Sequence, residues 1–193
     1  MLGELPPLPM RQVDGQSALG FAEKPGPKHN QENPELYAVF PFRLFGRDKP
    51  ELDLALRTFA HRIHKGTGGW QQNAIQAALL GLGDEAAKMV ASNFSRKNPE
   101  CRFPAFWGPN YDWTPDQDHG CAAMIALQRM LLQADDGKIR ILPAWPKRWN
   151  VAFRLHAPQR TVVEAEYRDG ALRRCVATPA VRAKDVVTTQ PGM

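Results

Sequence analysis

The sequence predicts an α + β protein in which helical hairpins are followed by a C-terminal antiparallel β domain. Three observations predict this. Apolar residues recur every three or four positions through the middle of the chain, they alternate in twos after residue 135, and the helical stretches are joined by short links containing glycine. Residues 1–33 read as an extended, turn-rich lead-in, 34–134 as the helical hairpins, and 135–193 as a β-sandwich-like domain.

The lead-in contains Pro6-Pro7, Pro9, Asp14-Gly15 and Pro25-Gly26-Pro27 and has no sustained period. So long an irregular stretch is unusual at the head of a compact domain, so the expectation is a larger architecture whose packing partners lie upstream. From Pro34 the pattern turns helical, with Leu36, Val39 and Phe40 on one face until Pro41 bends or ends the turn. In the next helix Asp48 is the expected cap and Pro50 sits in the first turn, while Leu52, Leu56, Phe59 and Ile63 step along one side.

After Gly66-Thr67-Gly68-Gly69, Trp70, Ala74, Ala78 and Leu82 follow at steps of four, with Ile75 and Leu79 beside them and Gly81 and Gly83 as the stop. A third helix opens near Asp84 and is expected to bury Ala87, Val90 and Phe94. A fourth runs from about Gly120 to Gln133 through Ala123, Ala126, Leu127, Met130 and Leu131. Asp135-Asp136-Gly137 then ends the helical part. Ile139 and Ile141 alternate, as do Val151, Phe153 and Leu155, and Val163, Ala165 and Tyr167, so these segments read as strands. Asp169-Gly170 links two of them with a dipeptide that tolerates positive φ, a hairpin signal. The tail after Val187 is expected to fray.

Composition excludes several classes. A chain of 193 residues with 43% apolar and 23% charged residues can bury an ordinary core and does not read as disordered. Its apolar runs are far shorter than a membrane span, and no secretory signal follows Met1. Cys101, Cys121 and Cys175 have no metal-like spacing, and their odd number leaves one thiol free or paired with another chain.

The net charge of +5 is unevenly distributed: residues 138–193 hold 11 Lys/Arg against 4 Asp/Glu, whereas residues 1–137 hold 14 against 16. The C-terminal cations Lys138, Arg140, Lys147, Arg148, Arg154, Arg160, Arg168, Arg173 and Arg174 are dispersed rather than clustered on one helix. They read as a solvated face, and no nucleic-acid partner is expected.

The densest concentration of chemistry is the segment from Phe103 to Gly120. Phe103, Phe106, Trp107, Tyr111 and Trp113 are interleaved there with Asp112, Asp116 and Asp118. Sugars need both kinds of group, since aromatic faces cover the C–H face of a pyranose and fixed carboxylates bind its hydroxyl edge. Carboxylates among aromatics also lose hydration, so one can hold a proton while a better solvated one stays ionised. The alternative is an aromatic-proline loop covering a helix end, with its aspartates capping turns. Asp118 and His119 precede the fourth helix, where the dipole favours an ionised carboxylate; a simple N-cap is the competing reading. Glu32 and Glu35 form a second acidic pair beside Asn30, Asn33 and Tyr37.

Other sites are weaker. Lys65-Gly66-Thr67-Gly68-Gly69 lacks the Gly-Lys-Ser/Thr end of a P-loop and reads as a turn between helices. His61 and His64 have no third metal ligand at a sensible spacing. Ser17, Ser92 and Ser95 are the only serines, and none lies in a Gly-x-Ser-x-Gly elbow. Cys121 near His119 reads as a core residue rather than a reactive pair.

Four landmarks in order resemble the C-terminal part of glycoside hydrolase family 95 and its six-hairpin relatives. They are Leu36-Tyr37-Ala38-Val39-Phe40-Pro41, Gly66-Thr67-Gly68-Gly69-Trp70, Asp118 ahead of Met130-Leu131-Leu132-Gln133, and Ile139-Arg140-Ile141-Leu142-Pro143-Ala144-Trp145-Pro146. The resemblance spans about residues 30 to 187. It implies part of an (α/α)6 barrel followed by a β domain, and an inverting exo-glycosidase of the α-L-fucosidase or α-L-galactosidase type acting on plant or host glycans.

The family's catalytic-site aspartate falls on Asp118, which would activate or position water. Glu32, Glu35, Asp116 and His119 would bind hydroxyls or tune Asp118, and Trp70, Trp107 and Trp113 would shape the sugar site. Glu35 stands where the family usually has histidine, and the asparagine expected shortly after the aspartate is replaced near Gly120. The family's general-acid glutamate has no counterpart in this chain. The resemblance therefore implies a truncated barrel, inactive alone and prone to self-association. It implies no metal or organic cofactor, and suggests a periplasmic or secreted setting. The second reading is a non-catalytic carbohydrate-binding or structural barrel protein.

Overall fold

Three Asp-Gly dipeptides each form the whole two-residue connection of an antiparallel hairpin. The computed structural model describes residues 6–27, 30–95 and 118–188, with Asp118 and His119 described by backbone alone. Asp14-Gly15 joins β1 (Met10–Val13) to β2 (Gln16–Leu19), Asp136-Gly137 joins β3 (Leu132–Asp135) to β4 (Lys138–Ile141), and Asp169-Gly170 joins β6 (Thr161–Arg168) to β7 (Ala171–Thr178). Each pair has positive φ at both positions, 49° and 74°, 49° and 74°, and 51° and 77°. That backbone twists with the strands and suits the short Asp side chain and Gly.

Two of these hairpins depart from the sequence expectation. The lead-in is not extended throughout, because β1 and β2 pair within it in the register Met10↔Leu19 to Val13↔Gln16. Thr58 anchors this hairpin to the first long helix: its Oγ1 donates to Leu54 O at 2.8 Å and accepts from Leu19 N at 2.9 Å. Arg57 adds a bond from Nη1 to Ser17 O at 2.6 Å. Asp135-Asp136-Gly137 does not simply end the helical part either, since β3 starts at Leu132 and pairs with β4 from Leu132↔Ile141 to Asp135↔Lys138.

The helices follow the expected order with shifted ends. Pro34–Ala38 is a 3-10 turn that buries Leu36 and Ala38. Helix α1 (Leu52–Ala60) buries Ala55, Thr58 and Phe59. Asp48 does not cap it: Glu51 occupies the N-cap position in a left-handed conformation, and Asp48 instead accepts from Arg140 Nε at 2.9 Å. Ile63, expected on its apolar stripe, lies beyond the helix and is 57% exposed. Helix α2 (Asn73–Leu79) starts after Trp70 and is buried along its whole length.

Helix α3 (Gly83–Ser95) buries Ala87 and Val90, but Phe94 is 40% exposed, contrary to expectation. Its start is held tightly against the chain beyond β4, since a Cβ on Gly83 would lie 3.2 Å from Ala144 C and O. Helix α4 (Asp118–Leu131) buries Ala123, Ala126 and Met130. It stops before Leu132-Gln133, which are strand. Cys121 is exposed rather than in the core, because it lies outside the Ala123, Ala126, Met130 stripe that faces the other helices.

Helices α2, α3 and α4 pack against one another, and one continuous core joins these helices to the sheets through Leu36, Ile75, Leu79, Met130, Ile139, Ile141, Val163 and Tyr167. Gln133, 1% exposed, ties the helix ends together by donating from Nε2 to Ala78 O at 2.8 Å and to Arg129 O at 3.0 Å. These carbonyls lie in the last turns of α2 and α4, where helix acceptors look outside the helix for donors; Ala78 O also accepts from Gly81 N at 3.1 Å.

The β part holds two sheets. β5 (Val151–Ala157), β6 and β7 form an antiparallel sheet in that order. β3 and β4 are antiparallel, but β8 (Val186–Thr188) adds to β4 in parallel, so this sheet is mixed. The fold is thus α + β, and the described residues form no closed barrel or closed sheet. Most of the C-terminal cations are solvated as expected, with Arg154 and Arg174 facing Glu164 on the outer surface of the β5–β6–β7 sheet. Arg140 is the exception: it is 3% exposed and bonded to Asp48 and Asp135.

Candidate functional site

Asn33 and Asn73 are distant in sequence and adjacent in space. Asn33 Nδ2 donates to Asn73 Oδ1 at 3.1 Å and to His64 O at 2.8 Å, while Asn33 Oδ1 accepts from His64 N at 3.1 Å. Asn73 Nδ2 in turn donates to His64 O at 3.0 Å and to Gly66 O. Both side chains are buried, with 5% and 2% exposure. Their amides suit this position because each carries a donor and an acceptor that can satisfy a non-repeating loop backbone. The clasp fixes the glycine-rich link against the segment that carries Glu32.

This brings Glu32 and Trp70 into one notch. Its lining includes Glu32, Asn33, Tyr37, Trp70, Gln72, Asn73 and Gln76. Tyr37 donates its phenolic hydrogen to Glu32 Oε2, and Asn30 Nδ2 donates to Oε1 at 3.2 Å. Burial, the hydrogen bond to Glu32 and the Glu32 charge together push the Tyr37 phenol up to about 12. Trp70 presents a 40% exposed indole. The notch opens about 10 Å3 to the centre of a water-sized sphere, which is room for about one water.

Several polar atoms here lack partners among the described residues. Gln72 Oε1 and Gln76 Oε1 on the notch, with His64 Nε2 and Thr67 Oγ1 on the adjoining link, are buried without a hydrogen bond. Buried amides and hydroxyls are normally satisfied by protein, water or ligand. A carboxylate, a phenol, two amides and an exposed indole around one concavity can bind a hydroxyl-bearing ligand edge-on, with the indole covering an apolar face.

The expected site residues separate into three groups. Glu32 and Trp70 meet at the notch. Glu35 does not line it: it is 4% exposed within the 3-10 turn. Asp118 and His119 form the first turn of α4 rather than preceding the helix, and Trp107, Trp113 and Asp116 lie outside the described residues. Tyr37, Gln72 and Gln76 were not legible as site residues. A signal was present in Gln76, a polar residue inside the run Ala74-Ile75-Gln76-Ala77-Ala78, where a buried helix has no packing use for an amide.

A second concavity of about 500 Å3 lies between Gly81–Glu85 and Pro143–Arg148. Two ion pairs lie along it, Arg148 with Asp84 at 3.5 Å and the neighbouring Arg62 with Glu85 at 3.7 Å. Among the described residues no group of three or more His, Cys, Asp or Glu is placed to hold a metal ion, and no helix is long and apolar enough to cross a membrane. No protein-family model matches the sequence, and no curated protein matches it.

Proposed function

We propose that this chain is the C-terminal part of a glycoside hydrolase, an inverting exo-glycosidase of the α-L-fucosidase or α-L-galactosidase type acting on plant or host glycans. The observation that carries this reading is the meeting of Glu32, Tyr37 and Trp70 in one notch, from two segments 33 residues apart between Tyr37 and Trp70. Those groups supply a carboxylate, a phenol and an aromatic face, the mixture a pyranose requires. Asp118, at the start of α4, stands where a helix dipole favours an ionised carboxylate. It would take a proton from water on the far side of the anomeric carbon while a general acid outside this chain protonates the leaving oxygen, the division of labour of inverting hydrolysis.

In this reading the helices are part of an (α/α)6 barrel. Exposed Phe42, Leu44 and Phe94, at 67%, 54% and 40%, are consistent with faces that a larger assembly covers, and favour self-association of the isolated chain. The ligand is a glycan, and no nucleic acid or membrane partner is part of the reading.

The test is titration of the purified chain with L-fucose and L-galactose, followed by tryptophan fluorescence and ligand-detected NMR. Binding of at least one sugar is expected, weakened about tenfold in Trp70→Ala and Glu32→Gln, with no sugar released from fucosylated or galactosylated oligosaccharides. Binding unchanged in both variants would overturn the assignment of the notch. Turnover by the chain alone would overturn the assignment of the acid to another segment. The second reading is a non-catalytic carbohydrate-binding or structural barrel protein; sugar binding that persists in Asp118→Asn, without activity when the rest of such a barrel is supplied, would select it.

A further inference from the structure

The β5–β6–β7 sheet has two unequal edges. On one side the 3-10 turn Ala180–Asp185 follows β7 and packs against it, tied back by Arg182 Nε donating to Thr161 Oγ1 at 3.0 Å. On the other side β5 pairs with β6 alone, and no described strand lies along its outer edge. Its pairing runs without a bulge from Val151↔Tyr167 to Ala157↔Thr161, and its sequence, Val-Ala-Phe-Arg-Leu-His-Ala, holds neither lysine nor proline. Bulges, lysine and proline are devices by which sheets blunt an edge whose N–H and C=O groups are unpaired. Burial also falls toward this edge. On the inner face Tyr167, Ala165 and Val163 of β6 are 1%, 5% and 0% exposed, whereas Val151, Phe153 and Leu155 opposite them in β5 are only partly covered.

We propose that β5 is the contact edge of a two-fold homodimer, in which it pairs antiparallel with β5 of a second copy of this chain to make one continuous six-stranded sheet. A strand edge offers donors and acceptors that match its own copy, as an isologous contact requires. A two-fold normal to the sheet keeps both inner faces on one side, and the side chains then choose the register. Centring the two-fold on Arg154 would set this arginine against its own copy, and like charges directly opposite are unfavourable. Centring it one residue earlier sets Phe153 against Phe153, Val151 against Leu155, and Arg154 against Ala152.

The outer face is shaped for the last of these pairs. A concavity of about 310 Å3 there is lined by Ala152, Arg154, Glu164, Glu166 and Arg174, and Ala152 lies opposite Glu166 in β6. Glu166 accepts from Arg168 through Oε1, and its Oε2 has no donor among the described residues. Arg154 of the second copy, entering opposite Ala152, would cross that small side chain toward Glu166. It can be spared from its own sheet: the side chain is 71% exposed and held by a 3.6 Å ion pair to Glu164, which Arg174 also serves at 3.2 Å. An exposed ion pair adds little binding energy. It sets the register, while main-chain bonds and the covering of Phe153 and Leu155 hold the copies together. This edge is distinct from exposed Phe42, Leu44 and Phe94, and the proposal does not rest on the glycosidase reading.

The test uses the whole chain. Sedimentation velocity over a range of concentrations measures the mass, and hydrogen exchange at the lowest and highest concentrations locates the contact. A shift from monomer to dimer is expected, with β5 amides slowed in the dimer and those of β7 unchanged. A monomer at every concentration would overturn the proposal. So would β5 amides already protected in the dilute monomer, because another part of the chain would then cover the edge.

Ala152→Arg fills the concavity, gives Glu166 a cation from its own chain and sets two arginines face to face. The clash occurs twice about the two-fold, so dimer affinity should fall about tenfold. If Ala152→Arg does not fold, Arg154→Ala removes the entering side chain, and a several-fold loss is expected. Phe42→Ser with Leu44→Ser, on the other exposed apolar segment, should leave the dimer unchanged. Association that survives the β5 variants, or that is lost in the Phe42 and Leu44 variant instead, would overturn the proposal.

Discussion

The phenol of Tyr37 is hydrogen-bonded to the Glu32 carboxylate, and this pair forms one wall of the notch that Trp70 completes. The carboxylate is thereby oriented before any ligand arrives, which lowers the ordering cost of binding. The same bond acts on the phenol, because the charge of Glu32 opposes loss of the phenolic proton.

Glu32→Gln should therefore bring the Tyr37 phenol down from about 12 toward its ordinary value near about 10. Burial remains in the variant, so the fall should be incomplete. Ultraviolet titration of tyrosinate, with Tyr37→Phe subtracted to remove the other tyrosines, measures it. An unchanged Tyr37 titration would show that the carboxylate does not act on the phenol.

Asp135 gives a pH prediction. Burial would raise its pKa, but the Arg43 hydrogen bond and the charges of Arg43, Arg140 and Lys49 outweigh it and hold the carboxyl below its usual range. A depressed folded-state value means that the ionised form stabilises the fold. That stabilisation is fully present above the unfolded value near about 4 and disappears as pH falls through the lower folded value. Asp135→Asn should cost about 3 kcal/mol at pH 7, since it leaves buried Arg140 with Asp48 alone and Arg43 without a counter-ion. It should also flatten the loss of stability below pH of about 4. Urea unfolding as a function of pH measures both effects.

Gln133 spans two helix ends, so its removal exposes a shared weakness. Gln133→Leu leaves Ala78 O and Arg129 O without their side-chain donor in a dry environment and should cost about 2 kcal/mol. Chemical denaturation reads the loss, and hydrogen exchange should show faster opening of the last turns of both α2 and α4. A stability equal to that of the wild type would mean that the two carbonyls find other donors.

Two glycines should respond differently to the same substitution. At Gly83 a new methyl would meet the backbone of Ala144 at 3.2 Å, and backbone cannot step aside without moving the chain between β4 and β5. Gly83→Ala should destabilise by about 1 kcal/mol, although alanine is the better helix former. At Gly66 the nearest atom is Gln71 Oε1 at 2.5 Å, the end of a flexible side chain. Gly66→Ala should cost less than about 0.5 kcal/mol, and the two midpoints compared in one denaturant series decide the matter.

The sequence by itself determined the order of the helices and of strands β4 to β7, the alternation of Val163, Ala165 and Tyr167 into the core, and the hairpin at Asp169-Gly170. These depend on neighbours within a few residues, so their cause is written locally. The same Asp-Gly signal stood at Asp14 and Asp136, but strands of four residues carry too little alternation to be recognised beside it.

Only the tertiary structure decided which apolar residues were covered and which polar residues were brought together. Phe94 and Ile63 follow helical spacing yet are exposed, because periodicity says which residues share a face and not whether another element lies against it. Arg140 occupies a strand position that seemed solvated, but it is buried because Asp48 and Asp135 reach it from separate segments. Glu32 could be singled out as a carboxylate near a tyrosine, but its meeting with Trp70 depends on the Asn33–Asn73 clasp across 40 residues. Contacts of that range arise from chain closure and packing, which no local pattern of side chains encodes.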